Sequence, residues 1–227
     1  MQKNPEAFEL FQALVDPEKR SNGNGAAEAM VTAARESCWR RNQSCDAVIA
    51  RGAIACLLGG AVRKFAVRPS GRRQIIDMIV TGDFLGFSPA DPSFLLEAVS
   101  NDTRIASFTR DRMNDLKSRF PAVSALMENC AADAIHRLEH HLLVQSRITA
   151  REKVAAYLGA MARRIKRNRA NRIILPITRY DIADHLGIAV ETVSRTMTAL
   201  RHRGSINLRT PRDIEIRDES MLSDTYC

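Results

Sequence analysis

The sequence predicts an α+β fold in which an N-terminal β-roll is followed by a long helix and a C-terminal winged helix-turn-helix domain. Short apolar runs separated by Gly and Pro turns occupy residues 48–108, as in a small barrel or roll. Apolar residues then recur every three or four positions from Pro121, and two helices joined by a Gly-containing turn are predicted at 178–203. We therefore predict an N-terminal arm at 1–30, a regulatory β-roll at 31–120, the long helix at 121–147 and the winged domain at 148–227.

The positive charge of the chain is concentrated in its C-terminal third. The 227 residues carry a net charge of +8. Between Arg147 and Arg217 there are about 16 Lys and Arg against about 6 Asp and Glu, or roughly +10. This excess favours a polyanion such as nucleic acid as the partner. A solvated basic surface is the alternative interpretation.

Nothing in the sequence indicates a membrane or secreted protein. No apolar run approaches the length of a bilayer span, and residues 1–20 lack the apolar core of a signal peptide. We therefore expect a cytoplasmic protein with no membrane partner. The chain has five cysteines, and this odd number argues against a disulfide framework. No two of them form a C-x-x-C pair, which argues against a zinc ribbon.

The first half of the chain contains the strand signals of the predicted roll. Residues 21–29, SNGNGAAEA, are typical of a loop or flexible arm, and residues 33–48 show no clear strand. The predicted strands and turns are CLLGGAVRKFAV (56–67) with its Gly-Gly corner, the tight hairpin RPSGRR (68–73), QIIDMIV (74–80), TGDFLGF (81–87) and TRIASF (103–108).

A narrow apolar seam follows the predicted long helix. Pro121 suits a first helical turn, and a helix reaching Arg147 would have roughly 26 residues and a length of about 39 Å. The seam consists of Met127, Ala131, Ala134, Leu138 and Leu142. Such a seam on so long a helix favours a partner helix and hence a homodimer. The alternative is one helix packed on its own β-domain.

Local capping signals mark the helices that follow. Thr149 is an N-cap for a helix at residues 150–167, and a linker with a short strand follows at 168–176. Thr178 can cap a helix of about eight residues, whose end at Gly187 suits a left-handed conformation.

The next helix separates apolar from polar side chains and is followed by a hairpin. Val193, Met197 and Leu200 share one face, whereas Glu191, Ser194 and Arg195 share another. Gly204 ends this helix, and the hairpin that forms the wing is SINL (205–208), the tip RTPRD (209–213) and IEI (214–216).

This arrangement predicts a helix-turn-helix whose second helix enters the major groove of double-stranded DNA. An Arg side chain such as Arg195 can bond guanine in a bidentate way, and Glu191 can accept from the cytosine amino group. The residues predicted to contact phosphate are Thr178, Arg179, Thr192, Arg209 and Arg212. The alternative is that residues 187–203 are only an amphipathic surface helix.

The sequence resembles the CRP/FNR family of bacterial transcription regulators over residues 48–217. The resemblance is carried by GGAVRKF, PSGRRQI, TGDFLG and PITRYDIADHLGIAVETVSRTMTAL. Glu191, Ser194 and Arg195 are similar to the FNR and FixK branch, and PSGRRQI and VETVSRTM resemble FixK-type regulators of rhizobia. The resemblance implies a β-roll of the cyclic-nucleotide-binding type.

The resemblance also implies a function. A family member of this kind would be a homodimeric activator that binds a TTGA-type palindrome, contacts RNA polymerase and controls genes linked to oxygen or nitrogen. Arg195 and Glu191 would contact the G·C pair, and Ser194 and Val190 would contact the flanking thymines. The thymine methyl group is also a suitable partner for Val190 on physical grounds.

The sensor segments depart from two branches of the family, so we expect no cofactor. Phe87 lies near the acidic position of the cyclic-AMP branch, and Ser93 and Phe94 lie near its Arg-Ser pair, which removes the phosphate counter-charge. The cysteines at 38, 45 and 56 do not match the spacing of the iron–sulfur branch. His136 and His140 are four residues apart and could share a helical face, but we expect a helix surface or interface there and no metal.

Two other classes of function remain open at this point. One is a β-roll that senses redox state or a ligand, through an iron–sulfur cluster or a small-molecule effector, and signals through protein contacts. The other is an enzyme, which we do not expect because no Ser/His/Asp set, P-loop or G-x-G-x-x-G pattern is present. The basic C-terminal third and the predicted base-reading side chains favour the DNA-binding regulator.

Overall fold

The structure, a computed structural model, describes residues 4–17, 24–87, 91, 93–147, 149–165 and 172–218. The helices in these ranges are α1 (Pro5–Val15), α2 (Asn24–Ala33), α3 (Arg110–Arg119), α4 (Pro121–Gln145), α5 (Ala150–Arg164), α6 (Arg179–Leu186) and α7 (Val190–His202), with 3-10 turns at Asp46–Val48 and Ala50–Gly52. The strands are β1 (Arg35–Trp39), β2 (Ile54–Gly59), β3 (Ala61–Val67), β4 (Arg73–Val80), β5 (Phe84–Leu85), β6 (Leu95–Ala98), β7 (Thr103–Phe108), β8 (Arg172–Ile174), β9 (Ile206–Leu208) and β10 (Asp213–Ile216). Three sheets have the strand orders β1-β7-β2-β5, β4-β3-β6 and β8-β10-β9.

The chain divides into two compact units. The first contains residues 1–64 and 79–136, and the second contains residues 65–78 and 137–227. The tip of the hairpin between β3 and β4 therefore belongs to the second unit, together with the C-terminal part of α4.

Strand β2 separates two apolar clusters in the core of the first unit. It pairs antiparallel with both β5 and β7. Because side chains alternate along a strand, Ile54, Cys56 and Leu58 join one cluster, whereas Ala55 and Leu57 join the other. Both faces of β2 are buried, which explains its nearly uniform apolar sequence.

The predicted strands of the roll are confirmed as β2, β3, β4, β5 and β7, and RPSGRR forms the turn between β3 and β4. The Gly-Gly corner requires glycine at position 60, because Gly60 has a φ of 83° and a Cβ there would lie 2.8 Å from the Thr103 hydroxyl. Residues 33–48, where no strand is predicted, contain β1, which pairs with β7. Strand β6 and helix α3, which is capped by Thr109, are also absent from the prediction.

The prediction of an N-terminal arm at residues 1–30 is wrong for the described residues of that range. Helix α1 is capped by Asn4, and α2 begins inside the predicted loop, whose residues 21–23 lie outside the described ranges. Both helices bury apolar side chains in the core of the first unit, among them Phe11 and Met30. Tertiary burial of this apolar face outweighs the low helix propensity of the Asn and Gly residues.

Helix α4 confirms the predicted long helix but corrects its seam. It has 25 residues. Met127 is only 5% exposed because it packs in the core of the first unit, so it is not available to a partner. Ala131 and Ala134 are half-buried. No helix in the described ranges combines the length and the hydropathy of a membrane span.

Four large apolar side chains of α4 are exposed to solvent. Leu138 and Leu142 are 44% and 68% exposed, and Ile135 and Leu143, which are not among the five predicted seam residues, are 59% and 48% exposed. Steps of four, three and four residues place Ala131, Ile135, Leu138 and Leu142 on one face. We call these four residues the α4 seam.

The caps of the second unit are those that the sequence predicts. Thr149 and Glu152 form a capping box at the start of α5, and Thr178 and Asp181 form another at the start of α6. Residues 166–171, part of the predicted helix and linker, lie outside the described ranges. Strands β9 and β10 are the predicted hairpin after α7, and β8 adds a third antiparallel strand.

Candidate nucleic-acid interface

Helices α6 and α7 are joined by a tight turn at Gly187. Gly187 has the left-handed conformation, with a φ of 65°, and its N–H donates to the carbonyl of Ala183. The N–H of Ile188 donates to the same carbonyl at 3.1 Å. This turn confirms the predicted C-cap and gives the helix–turn–helix geometry.

The buried face of α7 holds the helix in place. Val193 and Met197 are fully buried, and Leu200 is 3% exposed. These are the residues predicted to form the apolar face, and α7 packs against α5 and α6. With this face fixed, the opposite side of α7 has a defined orientation toward solvent.

The predicted base-reading residues lie together on the outer side of α7. Glu191 and Arg195 are exposed, and neither has a hydrogen-bond or ion-pair partner among the described residues. Val190 and Ser194 are half-buried beside them. Positions separated by three or four residues share a side of a helix, so the four side chains form one surface with donors, acceptors and a methyl-bearing side chain.

Two of the predicted phosphate residues lie at the start of α6, and the structure corrects one of them. The Thr178 hydroxyl donates to the Asp181 carboxylate at 2.7 Å and accepts from the Asp181 N–H at 3.2 Å. Its single proton is therefore used inside the capping box and cannot be donated to a phosphate. Arg179 is half-buried, and its Nε has no hydrogen-bond partner among the described residues.

The other predicted phosphate residues lie on α7 and on the wing. Thr192 is half-buried near the N-terminal end of α7, whose N-cap residue Ala189 provides no side-chain acceptor. Arg209 is exposed and Arg212 is half-buried at the tip of the hairpin.

An ion pair not predicted from the sequence braces the wing. Arg172 of β8 donates to the Asp213 carboxylate, with its Nε 2.9 Å from Oδ1. This pairing lowers the pKa of the Asp213 carboxyl and keeps both groups charged.

The sequence-based prediction of the site does not include the exposed basic residues at the end of α7. Arg201, His202 and Arg203 are all exposed, as is Tyr180 on α6, at 67%. The sequence signal for the basic group is the run RHRG before the helix stop.

Comparison with known proteins agrees with this geometry. Residues 152–225 match the family model of the Crp-like helix-turn-helix domain. The nitrogen fixation regulation protein FixK of Rhizobium meliloti strain 1021 is 37% identical over 164 residues, which cover 72% of this chain and 73% of that protein. The chain belongs to the CRP/FNR family of DNA-binding transcription regulators.

Within the CRP/FNR family the chain falls in the FixK-like branch. The structure of FixK2 from Bradyrhizobium japonicum has 28% sequence identity and a TM-score of 0.71, and covers 83% of this chain and 95% of that chain. The transcriptional activator protein FnrL of Cereibacter sphaeroides is 28% identical over 206 residues, 86% of this chain and 83% of that protein. The resemblance described from the sequence motifs is thus confirmed.

The cysteines of this CRP/FNR protein do not fit the iron–sulfur cluster of one branch of the family. Cys38 is exposed, whereas Cys45 and Cys56 are buried in different apolar clusters. Burial and the nearby Asp46 raise the pKa of the Cys45 thiol to about 12, so this thiol is protonated in the metal-free protein. In the part of the chain that the structure describes, no three His, Cys, Asp or Glu side chains are grouped as metal ligands.

Proposed function

We propose that the protein is a homodimeric activator that binds a TTGA-type palindrome through the outer side of α7. The observation that carries this proposal is the pair Glu191 and Arg195, exposed and without protein partners on a helix whose other face is fully buried. Polar side chains held in place by a packed scaffold and left unpaired are suited to base edges in the major groove.

The proposed readout assigns each side chain to a chemical partner. Arg195 donates two hydrogen bonds to guanine, and Glu191 accepts from the cytosine amino group. Ser194 and Val190 contact the flanking thymines, Val190 through the methyl group. Thr192 and the three arginines at 179, 209 and 212 contact phosphates and fix the register without reading sequence.

The proposed dimer forms through the α4 seam. Ile135, Leu138 and Leu142 expose apolar surface that water disfavours, and Ala131 allows close approach of a second helix. A two-fold related pair of α7 helices would then match a palindrome whose half-sites are about 34–36 Å apart.

The names of the similar proteins support the physiological side of the proposal. The FixK proteins are named for nitrogen fixation regulation, and FnrL is named as a transcriptional activator. We place this protein in oxygen- or nitrogen-linked gene control, acting with RNA polymerase and without an added effector.

A gel-shift titration and a run-off transcription assay test this function. The purified, metal-free protein should shift a duplex with a TTGA palindrome and leave a scrambled duplex unshifted at the same concentration. The same palindrome placed upstream of a promoter should raise the amount of transcript made by RNA polymerase. Binding that needs added cyclic nucleotide, or reconstitution with iron and sulfide, would contradict the effector-free part.

A further inference from the structure

The C-terminal end of α6 is held by side chains from two other elements of the second unit. The last carbonyl groups of any helix have no partner within the helix. Here both N–H groups of the turn, those of Gly187 and Ile188, donate to the carbonyl of Ala183. The carbonyls of Asp184 and His185 must therefore find hydrogen-bond donors elsewhere.

Two glutamine amides provide these donors. Gln145, at the end of α4, donates to the His185 carbonyl at 2.6 Å. Gln74, on β4, donates to the Asp184 carbonyl at 2.8 Å and lies 3.4 Å from the His185 carbonyl. We call these two glutamines and the two carbonyls the clasp.

The amide of Gln74 is itself oriented by a neighbour. Arg68 donates to Gln74 Oε1 at 3.0 Å, which turns the amide nitrogen toward α6. On the same strand, Arg73 lies 3.7 Å from the Asp184 carboxylate. The hairpin of β3 and β4 thus presents a hydrogen-bond donor of defined direction.

The three elements around the clasp, α4, α6 and β4, are also joined by other side-chain contacts. The His185 ring contacts His141 of α4, with ring centroids 4.1 Å apart and an angle of 35° between the ring planes, and its Nδ1 lies 3.3 Å from the Ile75 carbonyl. Arg137 of α4 pairs with Asp77 of β4 at 3.3 Å. These contacts fix β4, α4 and α6 relative to one another within the second unit.

We propose that the clasp positions the helix-turn-helix on α4 and thereby determines which half-site spacing the dimer accepts. The proposal rests on the proposed function. Gln145 lies one turn beyond Leu142 of the α4 seam, so the clasp links the surface that sets the two-fold axis to the helix that precedes α7. Gln74 and Gln145 are positioning residues, because they act on DNA recognition without touching DNA.

A glutamine amide suits this task better than a charged group. A neutral amide satisfies a buried carbonyl without the desolvation cost of an ammonium or guanidinium group. It also has a fixed planar geometry, so that a shift of α6 breaks the hydrogen bond rather than stretching a long-range attraction. The clasp therefore has one preferred arrangement.

The test uses the full-length protein and four kinds of duplex. These are the palindrome with its native spacing, palindromes with one base pair added or removed, a single half-site, and a scrambled duplex. The variants are Gln145→Ala, Gln74→Ala, their double, and Gln145→Glu, which keeps the shape of the side chain but removes the donor. Gln43→Ala, at an exposed glutamine of the first unit, is the matched control.

The wild-type protein and the control should bind the palindrome of native spacing at least about tenfold more tightly than the palindromes of altered spacing. The double variant should lose about tenfold on the native palindrome, as expected for two hydrogen bonds, and its preference among spacings should fall to about twofold. Gln145→Glu should resemble or exceed Gln145→Ala. Half-site affinity should stay unchanged in all of them.

Three results would overturn the proposal. A double variant that keeps the wild-type ratio between spacings shows that the clasp does not set spacing. An equal loss on half-site and palindrome shows that the glutamines only stabilise the helix-turn-helix. A wild-type protein that binds no palindrome refutes the proposed function itself, and the clasp proposal with it.

Discussion

The outer side of α7 and the C-terminal end of α6 lie in one unit, but their polar groups differ in whether they have hydrogen-bond partners within the protein. On α7, Glu191 and Arg195 are exposed and have no partner in the described part of the chain. At the end of α6, the carbonyls of Asp184 and His185 receive donors from Gln74 and Gln145. The first surface keeps its hydrogen-bonding capacity for a partner, and the second uses it within the protein.

The energetic consequences of the two arrangements differ. An exposed side chain without a protein partner is hydrated, so leaving Arg195 unpaired costs little stability. A buried carbonyl without a donor costs about 1–3 kcal/mol, so the clasp contributes to the stability of the unit. Substitutions on α7 should therefore change recognition and leave stability alone, whereas changes around the clasp should affect both.

The largest effect is expected from Leu138→Glu. Both surfaces act in the dimer that we propose to form through the α4 seam, and this substitution should disrupt that dimer. Two glutamates would face each other across the α4 seam, at a cost on the order of 3 kcal/mol or more, or at least about a hundredfold in palindrome affinity. Leu138 is 44% exposed, so the monomer should still fold. Light scattering should show a monomer, and gel shifts should show the lost affinity.

A matched variant checks the placement of the seam. Asn129 is exposed on α4 about 160° around the helix from Ala131. Asn129→Glu should remain dimeric and bind normally. A dimeric Leu138→Glu with normal affinity would show that the dimer forms elsewhere.

The second largest effect is expected from Arg195→Ala, which tests whether α7 is the surface kept for a partner. Loss of a bidentate contact with guanine should remove about 1–3 kcal/mol of discrimination per half-site, and the two-fold dimer carries the loss twice. Titrations on palindromic and scrambled duplexes measure this, with Arg163→Ala, an exposed arginine of α5, as the control. Equal losses on both duplexes would make Arg195 a phosphate contact.

The two surfaces also differ in how far the sequence predicts them. The faces and ends of α6 and α7 depend on residues within a few positions of each other, such as Thr178 with Asp181 and Val193 with Met197. The hydrogen bond from Gln74 to the Asp184 carbonyl joins residues that are 110 positions apart. No local pattern can indicate such a pair.

The structure of the N-terminal region does not follow from its local sequence, for a related reason. Helix α2 begins with Asn24 and Gly25, residues that favour loops, and is stabilised by burial of Met30 in a core built from distant strands. Strand β1 pairs on one side only and lacks a buried alternation, so its sequence has no clear period. Tertiary contacts decide both elements.

A third effect, of intermediate size, concerns the histidines beside the clasp. Burial, with a contribution from His141 and from Arg164, lowers the pKa of His185 to about 3, and burial also lowers the pKa of His141. Between pH 6.5 and about 3 the unfolded chain therefore binds more protons than the folded protein. The stability that comes from keeping these rings neutral is fully present above pH 6.5 and should fall on acidification by up to about 1.4 kcal/mol per pH unit for each proton.

Urea unfolding at several pH values measures this dependence. His185→Gln removes the titrating ring, so its free energy of unfolding should change less between pH 6.5 and 5 than that of the wild type. His202→Gln, at an exposed histidine of the same unit, should keep the wild-type slope. Parallel slopes for His185→Gln and wild type would exclude the buried ring as the cause.

The smallest effect is expected from Arg179→Ala, which tests the distinction between contacts with DNA bases and contacts with phosphates. Arg179 is half-buried at the start of α6, and a phosphate is a suitable acceptor for the accessible part of its guanidinium group. A phosphate contact carries no base information, so specific and scrambled duplexes should be weakened by the same factor, on the order of a few-fold. The slope of log affinity against log salt should become shallower by about 0.9 for each contact, or about 1.8 for the dimer.

Titrations at four salt concentrations measure the slope, with Arg35→Ala, an exposed arginine of the first unit, as the control. An unchanged slope would remove Arg179 from the phosphate contacts, and a loss confined to the palindrome would move it to the base-reading surface of α7.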